Sequence, residues 1–248
     1  MKSPGEGRIA VISFDVEQDC PPYLTSTRGM EEGLPRLLDL LAEERVRATF
    51  LFTGEMAERY PGLARRVVDE GHELGCHGYR HERLDHVGHD EAERILAKAT
   101  TILRRFSDAV VSFRAPNLKR PPQLLPVLQR LGYRVDSSEA RYKPPFPHRP
   151  RWVNEILVVP ASVTSSVLRL PWRLQALIHQ RLGDTRVYFS HPWEYVDMSR
   201  EKIRWDCRFN TGEKALELLR KLIRSLREQG FRLATLADLP EVFTRPEG

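Results

Sequence analysis

Short runs of β-branched and aromatic residues recur along this chain, each followed by a stretch with helical spacing. That alternation restricts the fold more than any other feature. Ile9 to Phe14 (IAVISF) has the unbroken apolar character of a strand buried on both faces. Between Met30 and Glu44, Leu34, Leu37, Leu38 and Leu41 return at three- and four-residue intervals, the stripe of an amphipathic helix. Ala48–Phe52 predicts a second strand, Glu55–Glu70 a helix closed by Gly71, and Glu73–Cys76 the end of a third strand. A helix over Asp90–Phe106, a strand at Val110–Phe113, a helix at Pro122–Leu131 and a strand at Tyr133–Val135 continue the pattern. Lys143 to Pro150 carries four prolines in eight residues and reads as a loop. Beyond it come a strand at Glu155–Val159, a helix over Ser166–Leu182 interrupted at Pro171, and a strand at Arg186–Phe189. A long helix over Thr211–Gln229, closed by Gly230, and a short strand at Phe231–Thr235 end the series. Strand–helix units repeated without a linker predict one α/β domain over residues 1–248, its parallel sheet open or closed into a barrel.

Composition narrows the class. At 248 residues and 41% hydrophobic, the chain can bury a full core. No stretch approaches the run of about 18 apolar residues that a membrane span needs. The N-terminal sequence lacks the apolar segment of a secretory signal, so a cytoplasmic location is the expectation. Cys20, Cys76 and Cys207 are scattered, with no Cys-x-x-Cys pair, which excludes a thiolate zinc site and a disulfide framework. The net charge of +5 is mild, and no arginine tract interleaved with aromatics marks a nucleic-acid binder. Val163 to Arg181 mixes apolar residues with arginines at helical spacing; a helix covering the barrel is expected there in preference to one lying on a membrane.

In parallel α/β folds the chemistry gathers where strands end. Five polar clusters follow the apolar runs. Asp15 and Glu17 lie two apart and so project together from the first strand. Two carboxylates so placed repel unless a cation or proton intervenes. His77 and His81, four apart, can share a helical turn and converge on one metal. With one carboxylate they make a catalytic zinc set, leaving the other carboxylate as a base. Arg114 follows a strand and can grip a carboxylate. Asp136, in Asp136-Ser137-Ser138, can pair with Arg114 or cap a turn. His191, ahead of Pro192-Trp193-Glu194, is placed to donate a proton to a leaving group. Together these suffice for metal-assisted hydrolysis of an amide or ester.

FDVE, CHGYRH, FRAP, DSS and FSHPWE, in that order, resemble the motifs of the polysaccharide deacetylase family, carbohydrate esterase family four. The resemblance runs from about Ile9 to Thr235 and implies a distorted (β/α) barrel that removes acetyl groups from sugars with a divalent metal. Zinc is the first expectation, with cobalt, nickel or manganese as alternatives. It further implies Asp15 as general base and Glu17, His77 and His81 as metal ligands. Arg114 would orient Asp15, Asp136 would support Arg114, and His191 would be the acid. Val16 stands where many members carry a second aspartate, as in the branch with Phe-Asp-Val-Asp/Glu. Tyr79 and Pro116 are expected beside the developing oxyanion, and Trp193, with Trp152 and Trp172, along a saccharide groove. The implied partner is an acetylated sugar or polysaccharide. Two other readings keep the scaffold: a deformylase or other C–N hydrolase acting on a lipid-linked or small substrate, and a non-catalytic sugar-binding module.

Overall fold

The computed structural model describes residues 7–144 and 149–245. Pro145 to His148, inside the expected proline-rich loop, lie outside the described residues. The first strand, β1 (Ile9–Val16), is buried along its whole length. A π-helical turn at Gly29–Gly33 leads into α1 (Leu34–Glu44), so the single helix expected from Met30 has two parts. Next come β2 (Thr49–Phe52), α2 (Gly54–Arg59) and α3 (Pro61–Asp69). The helix expected over Glu55–Glu70 is broken at Tyr60 (φ −127°, ψ 56°), because the ring of Pro61 disfavours helical geometry in the residue before it. Then follow β3 (Glu73–Cys76), α4 (His89–Leu103), β4 (Ser112–Phe113), α5 (Leu125–Arg130) and β5 (Val135–Asp136).

After β5 the order is β6 (Arg151–Val153), β7 (Ile156–Val158), α6 (Trp172–His179), β8 (Thr185–Ser190), α7 (Trp205–Arg208), α8 (Glu213–Glu228) and β9 (Arg232–Ala234). The segment ahead of α6 coils as a 3-10 turn at Ser165–Arg169, and Pro171 separates the two. This stretch turns Leu168, Gln175 and His179 inward and Leu174 and Leu177 outward, so it covers the sheet. Among the described residues no helix is long and apolar enough to cross a membrane.

One nine-stranded sheet runs in the order β6-β7-β5-β4-β3-β2-β1-β8, with β9 added beside the start of β1. All pairings are parallel except that of β6, an edge strand the sequence pattern did not announce, which runs antiparallel to β7. The sheet curls until the segment that follows β7 meets β8 at Ser162. Ser162 donates its N–H to the Val187 carbonyl (2.8 Å), and its Oγ accepts from the Val187 N–H (2.9 Å). The result is the distorted barrel that the motifs imply.

Side-chain alternation then sorts each strand. Ile9, Val11, Leu51, Val135, Leu157, Val159 and Val187 fill the interior. Ala10, Ile12, Phe14, Phe50, Phe52, Phe113 and Tyr188 face the helices. Continuing the inward parity upward gives Ser13, Asp15 and Glu17 from β1, His77 past β3, Arg114 past β4, Ser137 past β5 and His191 past β8. The apolar floor thus ends in a polar rim.

The π-helical turn is pressed onto the segment that follows His191. A Cβ built on Gly33 would stand 2.1 Å from the Pro192 carbonyl oxygen, a backbone atom that cannot swing aside. Gly62, in α3, has nothing within 4 Å of the same construction. Gly33→Ala is therefore expected to cost about 1–3 kcal/mol in urea denaturation. Gly62→Ala should be neutral or stabilising by up to about 1 kcal/mol, since a helical alanine loses less entropy on folding.

Candidate metal centre and active site

Asp15 and Glu17 emerge from β1 with only 3% of each residue exposed, so each needs a dedicated partner. Arg114 serves Asp15. The guanidinium, fully buried, donates Nη1 to Asp15 Oδ1 (2.6 Å) and to Ser13 Oγ (3.0 Å). Its Nε reaches the Ser137 carbonyl (3.1 Å), its Nη2 reaches Ser137 Oγ (3.0 Å), and Phe189 lies against it at 5.2 Å. A buried charge satisfied in this way is rigid, and one oxygen of Asp15 is left for chemistry.

Glu17 faces imidazoles. Its Oε2 lies 2.8 Å from His81 Nε2 and 3.4 Å from His77 Nε2, and Oε1 lies 3.7 Å from His191 Nε2. Burial by itself would raise Glu17; the imidazoles of His81, His191 and His77 outweigh it and hold the carboxyl well below the usual range. Oε2 is buried without a hydrogen-bond donor that meets good geometry. His77 donates through Nδ1 to the Arg114 carbonyl at 2.8 Å, which fixes the ring with Nε2 turned toward Glu17. One ligand atom from each of Glu17, His77 and His81 lies within 4.8 Å of the others, the sole such cluster among the described residues. A buried carboxylate oxygen and two imidazole nitrogens facing one point fit a divalent cation, and the N₂O set with an open side suits zinc.

The two histidines converge by a route other than the expected helical turn. Residues 77–81 form a loop in which Gly78 (φ 79°) and His81 (φ 62°) are both left-handed. Glu82 holds that loop, accepting from the N–H groups of Tyr79 (3.2 Å) and Arg80 (2.8 Å), while Gly54 and Glu55 donate to the carbonyls of Gly78 and Tyr79.

His191 directs Nδ1 to Glu194 Oε1 at 2.7 Å, and Glu194 accepts the His191 backbone N–H as well. Burial would lower His191, but the carboxylates of Glu17, Glu194 and Asp15 push it up to about 9. Burial would raise Glu194, but Arg169 and His191 bring it down to about 2. The Trp193 ring stacks on His191 at 5.0 Å and 16°.

These groups share one cleft of about 330 Å³, lined also by Tyr23, Asn117, Leu118, Tyr142 and Ser166. Three expected members stand elsewhere. Asp136 is on the outward face of β5, where its neighbours Val135 and Ser137 point inward; it pairs with Arg120 (2.9 Å) and Ser138 instead of Arg114. Support for Arg114 comes from Ser137. Tyr79 turns its ring under Lys98 (3.5 Å) and its hydroxyl toward Glu58, and its N–H is already committed to Glu82. Pro116 is buried beneath the cleft wall formed by Asn117 and Leu118, and proline has no N–H to offer an oxyanion. Trp152 donates to the Phe243 carbonyl and Trp172 packs near Lys221, so of the three tryptophans Trp193 alone lines the cleft. The groups passed over in the sequence are Ser13, Ser137, Glu194 and Arg169. Of these, Glu194 carried a signal: an acid three residues past His191 in a proline turn has capping-box spacing, and its carboxylate does reach back to the His191 N–H.

The sequence profile of the polysaccharide deacetylase family matches residues 2–135. The chain belongs to that family. A chitooligosaccharide deacetylase of Azorhizobium caulinodans is 30% identical over 220 residues, 86% of this chain and 91% of that protein. A peptidoglycan-N-acetylglucosamine deacetylase of Bacillus cereus is 38% identical over 91 residues, 37% of this chain; the match spans 31% of that longer protein. Among solved structures, the peptidoglycan N-acetylglucosamine deacetylase Bc1960 superposes with a TM-score of 0.64 at 21% identity, covering 98% of this chain and 91% of that one. BA3943, a family pseudoenzyme from Bacillus anthracis, superposes equally well, with a TM-score of 0.65 at 17% identity over 96% of this chain and 66% of that one. The fold is therefore shared by members with and without activity, and the chemistry has to be read from the side chains.

His77→Ala and Glu17→Gln should each remove stoichiometric zinc, measured by inductively coupled plasma mass spectrometry after dialysis. The exposed His86→Ala should retain it. Arg114→Met should cost about 3–5 kcal/mol in denaturant unfolding, since it strands Asp15 as an unpaired buried charge.

Proposed function

We propose that this chain is a metal-dependent hydrolase that removes acetyl groups, N-linked first and O-linked as the lesser alternative, from a carbohydrate. The observation that carries the reading is the meeting of Asp15, Glu17, His77, His81 and His191 in one cleft, with Asp15, His77 and His191 each anchored by a partner of its own. Glu17, His77 and His81 would hold the cation, which when bound supplies Lewis-acid polarisation of a carbonyl oxygen and acidifies water beside it. Asp15 keeps Oδ1 on Arg114 and uses its remaining oxygen to take the proton of the attacking water. An aspartate is a weak base, and Arg114 compensates by fixing its position rather than by raising its basicity. His191, anchored at Nδ1 by Glu194, presents Nε2 to the same space and gives its proton to the departing amine. Tyr23 (48% exposed) and Tyr142 (37%) stand at the rim as ring faces on which a pyranose can stack. Named relatives that deacetylate peptidoglycan and chitooligosaccharides support the substrate class. The complete set of base, ligands and acid weighs against a sugar-binding module without activity.

The test is acetate release from N-acetylated chitooligosaccharides and muropeptides by the zinc-loaded chain, with mass spectrometry of the product for loss of acetyl groups. Asp15→Asn and His191→Gln are expected to lower kcat by about 10²–10⁴-fold. Wild-type protein with zinc bound that releases no acetate from either substrate would overturn the reading.

A further inference from the structure

Glu194 is as thoroughly buried as Asp15, and a carboxylate with a lone imidazole for company would take up a proton or turn away. Arg169 prevents both. It closes the 3-10 turn at Ser165–Arg169, far from His191 in sequence, and its side chain is almost wholly enclosed. Its Nε donates to Glu194 Oε2, the oxygen that His191 does not use. Its other nitrogens are spent on backbone: Nη1 on the Phe209 carbonyl (2.6 Å) and Nη2 on the Asp206 carbonyl (2.7 Å). The guanidinium lies over the Phe209 ring at 4.8 Å, and the Arg169 carbonyl accepts from Asn210 Nδ2 at 2.8 Å. The fork is thus fixed on one side by the end of α7 and delivers the other to Glu194 Oε2, which leaves Oε1 to the backbone N–H and Nδ1 of His191.

We infer that Arg169 is a positioning residue for the proton donor: acting through Glu194, it sets the orientation and tautomer of His191. The inference rests on the reading of His191 as the acid. The arrangement parallels Arg114 and Asp15 on the other side of the cleft, where another buried guanidinium gives one nitrogen to a carboxylate and is held by neighbouring groups through the others. It differs in acting at one remove from the reacting atoms.

Two readouts on zinc-loaded protein test this. In nitrogen-15 NMR of the imidazole rings, the Nδ1–H resonance of His191, assigned by its loss in His191→Gln, should persist in wild type and in Arg169→Lys. It should vanish or move in Arg169→Met and in Glu194→Gln, with zinc content unchanged. In deacetylation assays, Arg169→Met should lower kcat about 10–100-fold with KM within about twofold. The double variant Arg169→Met/Glu194→Gln should lose no more than Glu194→Gln alone, because both changes remove one unit. A merely structural arginine would give a ring signal unchanged in the folded Arg169→Met protein, and losses that multiply with Glu194→Gln; either result overturns the inference. Should Arg169→Met fail to fold, Arg169→Gln is read by the same criteria. If His191→Gln is as active as wild type, the assignment of the acid is what has failed. If His191→Gln is inactive while Arg169→Met keeps full kcat and the ring signal, only the role of Arg169 falls.

Discussion

Two carboxylates two residues apart on one buried strand set the terms for everything around them. Asp15 and Glu17 share a direction because the alternation of β1 carries on past its end, and they share burial because β1 is flanked on both edges, by β2 on one and by β8 and β9 on the other. Left alone they would repel and one would protonate. The molecule separates their fates by giving one a guanidinium from the end of β4 and the other a pair of imidazole nitrogens from the loop after β3. The first choice fixes Asp15 in place through a partner built into the chain. The second gathers Glu17, His77 and His81 closely enough to take a cation between them.

Supporting that division uses more of the chain than the reacting groups themselves. Arg114 has its fork occupied by Ser13 and Ser137, so the geometry of Asp15 depends on β1, β4 and β5 together. The carbonyl of Arg114 meanwhile fixes the tautomer of His77. One residue therefore orients Asp15 with its side chain and His77 with its backbone. Glu82, outside the cleft, does comparable work by fastening the strained loop between His77 and His81. Strain of this kind persists where surrounding bonds over-determine the backbone.

The alternation of apolar runs and helical stripes was enough to read the strand order along the chain and the rim at which polar groups gather, because both follow from local periodicity. Asp15, Glu17, His77, His81, Arg114 and His191 were legible for the same reason: each sits at the end of an apolar run and its chemistry is distinctive. What local spacing could not carry was parity across a strand only two residues long. Asp136 and Ser137 are adjacent, and which of them faces Arg114 depends on the register of β5 against β4, a property of the folded sheet. Tyr79 went astray for a related reason, since the left-handed Gly78 redirects the chain just after the first metal ligand. Arg169 gave no signal at all, being one arginine among many, distinguished only by the carboxylate and carbonyls brought to it by folding.

Fold and activity are separable in this family, as its pseudoenzyme shows, and the physical reason is visible in this chain. The barrel is held by its apolar floor and by the layer between sheet and helices, neither of which includes the reacting groups. The rim is instead a set of buried polar groups whose desolvation cost is repaid only by one another. Losing any single member would leave its partners unpaired and lower stability, while losing matched partners together would be far cheaper. A scaffold can thus shed its chemistry in pairs without unfolding. In this chain the pairs Arg114–Asp15, His191–Glu194 and Arg169–Glu194 are all intact, and so is the Glu17, His77 and His81 cluster. Because retaining half of any pair is the costly state, their joint presence is the arrangement expected of a site still held together by its own electrostatics.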